Sequence, residues 1–185
     1  MFGRHIFFSL FMLCAYFSCR AVMADPLEDR GIKIKAAVAY HVAKFISLPE
    51  EIIANQNEVR VCLIKGADIN RHIEDMVHGK KLHGRSIRIS YFEEAQELID
   101  DGSCRIVFVS QSTLEQLRHS ASKLVSYGKL IVCFVTELKW EICPVQIYEQ
   151  DNKARIAIDL EWARRTGLVV SSELLDLAVV RRSES

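Results

Sequence analysis

Val38, Val42 and Phe45 recur at helical spacing within residues 32–46, and Ala36, Ala39, Ala43 and Ile46 widen the same stripe. The spacing predicts an amphipathic helix. It must stop before Pro49, because the residue preceding a proline resists helical geometry. Residues 59–64 are a short apolar run rich in β-branched side chains and predict a strand. Residues 69–77 predict a polar-faced helix closed by Gly79. Over 86–92, Ile87, Ile89 and Tyr91 alternate with polar residues, the period of a half-buried strand. A helix over 93–99 ends at Asp101-Gly102, and a strand follows over 105–109. A helix over 113–125 turns Leu114, Leu117, Ala121, Leu124 and Val125 inward, and a strand over 130–135 completes this stretch.

Strand and helix alternate four times, which argues for βαβ units and a mainly parallel sheet. The near-continuous apolar strands around Ile106–Val109 and Leu130–Phe134 fit a sheet covered on both faces. The pattern then changes. Residues 145–148 and 154–158 flank the polar turn Gln150-Asp151-Asn152-Lys153 and read as a hairpin at the sheet edge. Two short helices close the chain. One covers 160–165 and ends at Gly167; the other follows Ser171, a good N-cap, and runs through Leu174, Leu177 and Ala178. The expected fold is therefore α/β: a mainly parallel sheet flanked by helices, with an antiparallel edge hairpin and C-terminal helices.

The first residues follow a different logic. Arg4 and His5 precede an apolar run from Ile6 to Phe17, and Val22-Met23-Ala24 places small residues before Asp25. These are the parts of a secretory signal, and the apolar run is too short to span a bilayer. The reading is a cleavable signal over 1–24, cut after Ala24, and one domain over 25–185. Residues 25–29 are polar and read as a loose lead-in. Cleavage removes Cys14 and Cys19 and leaves Cys62, Cys104, Cys133 and Cys143. An even number in an oxidising compartment favours disulfides, and four cysteines allow three connectivities. No two have CxxC spacing, which speaks against a zinc ribbon or a thioredoxin-like site.

Composition narrows the function classes. Half of the chain is hydrophobic, enough for a real core. Formal charge is balanced, with 24 Lys and Arg against 24 Asp and Glu, and loss of Arg4 and Arg20 makes the exported part slightly acidic. A nucleic-acid surface needs a basic excess. No Gly-rich phosphate loop, Gly-x-Ser-x-Gly elbow or His-Glu-x-x-His pattern occurs. His72, His78 and His83 do not share a helical face and read as solvated, and Glu93-Glu94 and Asp100-Asp101 read as helix-end and turn residues. No cofactor, metal or catalytic set is expected. One group suits recognition: Arg155, Asp159, Trp162, Arg164 and Arg165, since arginine forks and Trp commonly anchor interfaces.

Three stretches together resemble the YfiR-like periplasmic proteins. The first is Ile34 to Phe45, with its Lys-Ala, Tyr, Lys-Phe and closing Pro49. The second is Val61-Cys62-Leu63 with the later Cys104-Arg105-Ile106-Val107-Phe108-Val109-Ser110. The third joins Arg155 to Leu160, Ala163-Arg164-Arg165-Thr166-Gly167-Leu168, and Ser171-Ser172-Glu173-Leu174-Leu175. Three positions depart from the family pattern: Leu48 stands for a usual Trp, Asp159 for a usual Asn, and Cys143-Pro144 lies where a Gly-Gly pair is usual. The resemblance implies a regulator that represses an inner-membrane diguanylate cyclase through its periplasmic domain, lowering cyclic-di-GMP and biofilm formation. It further implies an OmpA-like outer-membrane lipoprotein as a second partner and a homodimer. It also implies the pairing of Cys62 with Cys104 and of Cys133 with Cys143.

Two other functions compete with this. One is a periplasmic sensor or solute-binding protein, with an apolar cleft at the carboxyl ends of parallel strands and arginines gripping an anionic group. The other is an enzyme, for which the residues offer no nucleophile–base pair.

Overall fold

Helix α1 (Pro26–Phe45) lays Ala36, Ala39, Val42 and Ala43 against the centre of the molecule, where all four are buried. The computed structural model describes residues 26–119, 123, 126–141 and 143–182. The expected signal with its cleavage point, Cys14 and Cys19, and Ala121, Leu124 and Val125 of the expected helix over 113–125, lie outside the described residues. The first helix starts at Pro26, within what the sequence suggested was a loose lead-in. Asp29 shows why that turn is held. Its carboxylate meets Arg71 at 3.0 Å and His72 at 3.1 Å on α3.

After α1 come β1 (Ile46–Ser47), the short α2 (Glu50–Ile53), β2 (Glu58–Ile64), α3 (Ile69–Val77), β3 (Lys81–Leu82) and β4 (Arg85–Phe92). Then follow α4 (Ala95–Asp100), β5 (Ile106–Val109), α5 (Gln111–Gln116) and β6 (Leu130–Phe134). The chain closes with β7 (Val145–Gln150), β8 (Lys153–Asp159), α6 (Leu160–Arg165), β9 (Val169–Val170), α7 (Ser172–Leu175) and β10 (Ala178–Arg181). Among the described residues, no helix is long and apolar enough to cross a membrane.

The eight-stranded sheet runs β10-β8-β7-β6-β5-β2-β4-β3. Its pairings are parallel except β3 with β4 and β7 with β8. The fold is thus the expected α/β architecture. Connection β2–α3–β4 steps one way along the sheet, and the next crossing, through α4, returns past β2 to β5. The direction reverses between β2 and β5. A right-handed crossover must then change faces, and it does. Ile69, Ile73 and Val77 of α3 join the core with α1, whereas Ala95 and Leu98 of α4 and Leu114 of α5 join a second core on the other face.

The hairpin β7–β8 pairs six residues on each side and turns through Asp151 and Asn152, both at positive φ. Two successive left-handed residues match the twist of the strands, and Asp and Asn tolerate that region best after Gly. Two expectations at the C-terminal end change. The last helix stops at Leu175, and Ala178 begins strand β10, parallel to β8 and outside it. Val179 and Val180 favour extended backbone, and β8 offers them a partner. Near α5, the helix begins earlier than expected because Ser110 caps it, its Oγ accepting from the Thr113 amide at 3.2 Å.

Candidate functional site

The recognition residues lie where β8 runs into α6. Asp159 is the N-cap. Its Oδ1 accepts from the amides of Glu161 at 3.0 Å and Trp162 at 3.2 Å, satisfying two donors that a helix start leaves open. Its other oxygen pairs with the Arg181 guanidinium on β10. Arg181 also donates to the Trp140 carbonyl at 3.2 Å and lies over the Trp140 ring, 5.1 Å from its centroid. One buried carboxylate therefore starts a helix and fastens a sheet strand.

Trp162 is 2% exposed and packs in the main core, so it does not present the surface anchor that its residue type suggested. The physical reason is the turn of α6. Its buried side carries Trp162 and Ala163, and its exposed side carries Arg164 and Arg165. Asp159, buried and occupied at both oxygens, is likewise a framework residue rather than a contact. Arg155 is exposed on β8, opposite Tyr148. The structure brings Arg165 together with Arg181 and Arg182 around a shallow pocket of about 260 Å³ that also includes Asp159 and Glu161. Arg181 and Arg182 had no place among the expected residues, because their segment reads as the tail of a helix. The β-branched pair before them was the available signal.

Behind α6 the chain turns at Gly167, whose φ of +73° suits glycine. A Cβ there would collide with the Tyr127 ring. The neighbouring Gly128 amide donates to the Thr166 carbonyl at 2.8 Å, docking this loop on the end of α6. The Tyr127 hydroxyl donates to the Glu51 carboxylate, which lowers the Glu51 pKa and raises that of the phenol. Next to this corner, β1 and β9 pair as a separate two-stranded ribbon. Ile46 faces inward from it, while Phe45 and Val169 are exposed. Basic and apolar groups thus share the outer side of the α6–β9 corner.

The four cysteines are joined as Cys62–Cys104 and Cys133–Cys143. All four are at most 1% exposed and sit in the second core. The histidines are only partly as the sequence suggested. His78 is exposed, but His72 is buried with its Nε2 beside Asp29, and His83 is half-buried with its Nε2 3.2 Å from the Ala43 carbonyl. Apolar packing between α1 and α3 takes up His72 because Asp29 supplies a polar partner. Among the described residues, no three His, Cys, Asp or Glu side chains are placed to hold a metal ion.

A crevice of about 510 Å³ does open at the carboxyl ends of the strands, where the strand order reverses. Ile32, Ala67 and Phe134 supply apolar wall, and Ser110, Ser112 and Thr136 supply polar groups. Among the described residues, no arginine lines it. Its cation is Lys35, which is paired with Glu149 at 3.1 Å. The arginine grip expected at this end of the sheet is therefore not built here.

A family model described as YfiR/HmsC-like matches residues 32–179 of the chain. No curated protein matches it. Among solved structures, it is similar to a conserved domain protein from Vibrio cholerae O1 biovar El Tor strain N16961, at 10% identity and a TM-score of 0.47, with 78% of this chain covered. The chain spans 60% of the length of that protein.

Proposed function

Since this chain belongs to the YfiR/HmsC-like family, we propose that it is a periplasmic regulator that binds the periplasmic domain of an inner-membrane diguanylate cyclase and represses it. The observation that carries this reading is the family match, which runs through residues 32–179 and so includes both disulfides and the α6–β9 corner. Two disulfides are at home in an oxidising compartment. A regulator of this kind needs a stable body and a different affinity for two states of its partner, and no reacting groups of its own. The proposed contact is the outer side of the α6–β9 corner. There Arg164 and Arg165 project from the last turn of α6, and Val169 is 66% exposed. Exposed arginine beside apolar surface is the composition that interfaces favour.

The test is made in cells and in solution. Deleting the gene should raise intracellular cyclic-di-GMP, and the wild-type copy should restore it. Arg164→Glu with Arg165→Glu should weaken capture of the cyclase's periplasmic domain by about tenfold or more, the scale of a two-charge reversal at an interface, while circular dichroism stays unchanged. An unaltered cyclic-di-GMP level in the deletion strain would remove the regulatory reading. Unaltered capture would move the contact to another face.

A further inference from the structure

At the amino ends of the strands, opposite the crevice described above, four cations stand in one row across the sheet. Arg60 on β2 is in register with Arg88 on β4. The pairs Val61↔Ile106 and Ile106↔Leu130 continue back one residue, placing Arg105 level with Arg60 and Lys129 level with Arg105. Two backbone bonds fix this alignment. The Arg105 amide donates to the Arg60 carbonyl at 3.0 Å, and the Leu130 amide donates to the Arg105 carbonyl at 2.8 Å. All four side chains leave the same face as Cys62, Val107 and Ile131, since alternate residues of a strand share a face.

Neighbouring strands lie about 4.8 Å apart, and like charges placed side by side on them repel. Two carboxylates answer the row. Glu58 pairs with Arg88, and Asp101 lies 3.4 Å from Arg60 and offers its carbonyl to the Lys129 ammonium at 3.4 Å. Two positive charges are left without a counter-ion among the described residues. Burial pushes the Lys129 ammonium down; Asp101 draws it back up, and Arg105 pushes it further down. The arginines stay charged, because a guanidinium does not give up its proton in proteins.

Three of these cations, Arg60, Arg88 and Arg105, line a groove of about 560 Å³ together with the hydroxyls of Ser90 and Ser103, the side chain of Asn57 and one carboxylate, Glu58, which is already paired with Arg88. The groove is held in shape. Arg60 donates through Nε to Ser90 at 2.7 Å and through Nη1 to Ser103. Ser103 and Arg105 flank Cys104, whose disulfide ties them to β2. Arg105 Nε is buried and has no hydrogen-bond partner among the described residues. A buried donor without a partner is costly, so the Arg105 guanidinium is one acceptor short.

We propose that this groove binds a phosphate group carried by a small soluble molecule, a free phosphate or a phosphomonoester. Three guanidinium groups lining one groove ask for a ligand with several acceptor oxygens. A phosphate provides them and a carboxylate does not. A phosphate also brings negative charge to Arg105, the one guanidinium of the groove without a carboxylate partner among the described residues. The groove takes no part in the regulatory reading above, and its test needs no cyclase.

The experiment is isothermal titration of the exported, oxidised protein at low salt. The probes are inorganic phosphate, glycerol phosphate, succinate as a dicarboxylate, and vesicles of phosphatidylglycerol with phosphatidylcholine vesicles as a blank. One saturable site for phosphate and glycerol phosphate is expected. It should weaken by about tenfold or more in Arg105→Gln and in Arg88→Gln, each of which removes a charge-assisted donor. The Arg88 side chain is 63% exposed, so Arg88→Gln keeps the test decisive even if Arg105→Gln does not fold. The proposal is overturned if no phosphate probe saturates, if Arg88→Gln binds as the wild type does, or if succinate binds as tightly as phosphate. It is overturned too if binding is confined to anionic vesicles, which would make the ligand a lipid headgroup.

Discussion

Asp159 serves two elements through one carboxylate, and the two roles separate by substitution. Asp159→Ala removes the cap of α6 and leaves Arg181 without its partner. The cap alone is worth about 1 kcal/mol, and a half-exposed ion pair adds about 1 kcal/mol or less, so a loss of about 2 kcal/mol is expected. Asp159→Asn keeps an oxygen for the Glu161 and Trp162 amides and gives up only the charge, so it should cost about 1 kcal/mol or less. Urea unfolding of the two variants decides the matter, and equal losses would show that the cap carries nothing. The same residues show where reading a sequence reaches its limit. That Asp159, Trp162, Arg164 and Arg165 stand together around one short helix was legible in the sequence. A helix of six residues is too short for its periodicity to say which side is buried. Trp162 therefore looks alike as a surface anchor and as the core residue it is.

At the scale of elements, strands β2, β4, β5 and β6 and helices α3 and α4 lie close to where hydrophobic period places them, because each packs a whole face in a core. The period reads less well where pairing partners are distant. Ile46–Ser47 pairs with Val169–Val170 across most of the chain, and neither segment is long enough to show an alternation. Ala178–Arg181 carries two β-branched residues but needs β8 beside it as a partner to become a strand. The two disulfides join elements in different ways. Cys62–Cys104 ties β2 to the start of β5 over a separation of 42 residues, and Cys133–Cys143 closes a loop with a separation of 10. Chain entropy alone then gives about 4 kcal/mol for the first and about 3 kcal/mol for the second. The paired variant Cys62→Ser with Cys104→Ser should therefore be less stable than Cys133→Ser with Cys143→Ser by about 1 kcal/mol. Denaturant midpoints measured with a shared slope test this, and a reversed order would mean that loop length is not what sets the contribution.

Taken whole, the molecule is a sheet between two helical layers, and the alternation of strands and helices was enough to foresee it. Strand order was not foreseeable in the same way. Where the chain reverses direction between β2 and β5 is decided by which helix packs on which face, and that is a property of the assembled layers. The layers also settle when the cysteine chemistry can happen. Both disulfides lie in the core under α4 and α5, with their sulfurs shut away from water. A reagent meets them only in a molecule whose layer has lifted. The rate of reduction by a phosphine should accordingly rise with reagent concentration and then level off at the rate of opening. A rate that climbs in proportion without limit would mean that the sulfurs are reached in the closed state. The same barrier works in the forward direction. The closed layer holds off an oxidant as it does a reductant, so the bonds form before the helices settle over them, and each is a timestamp of the folding route.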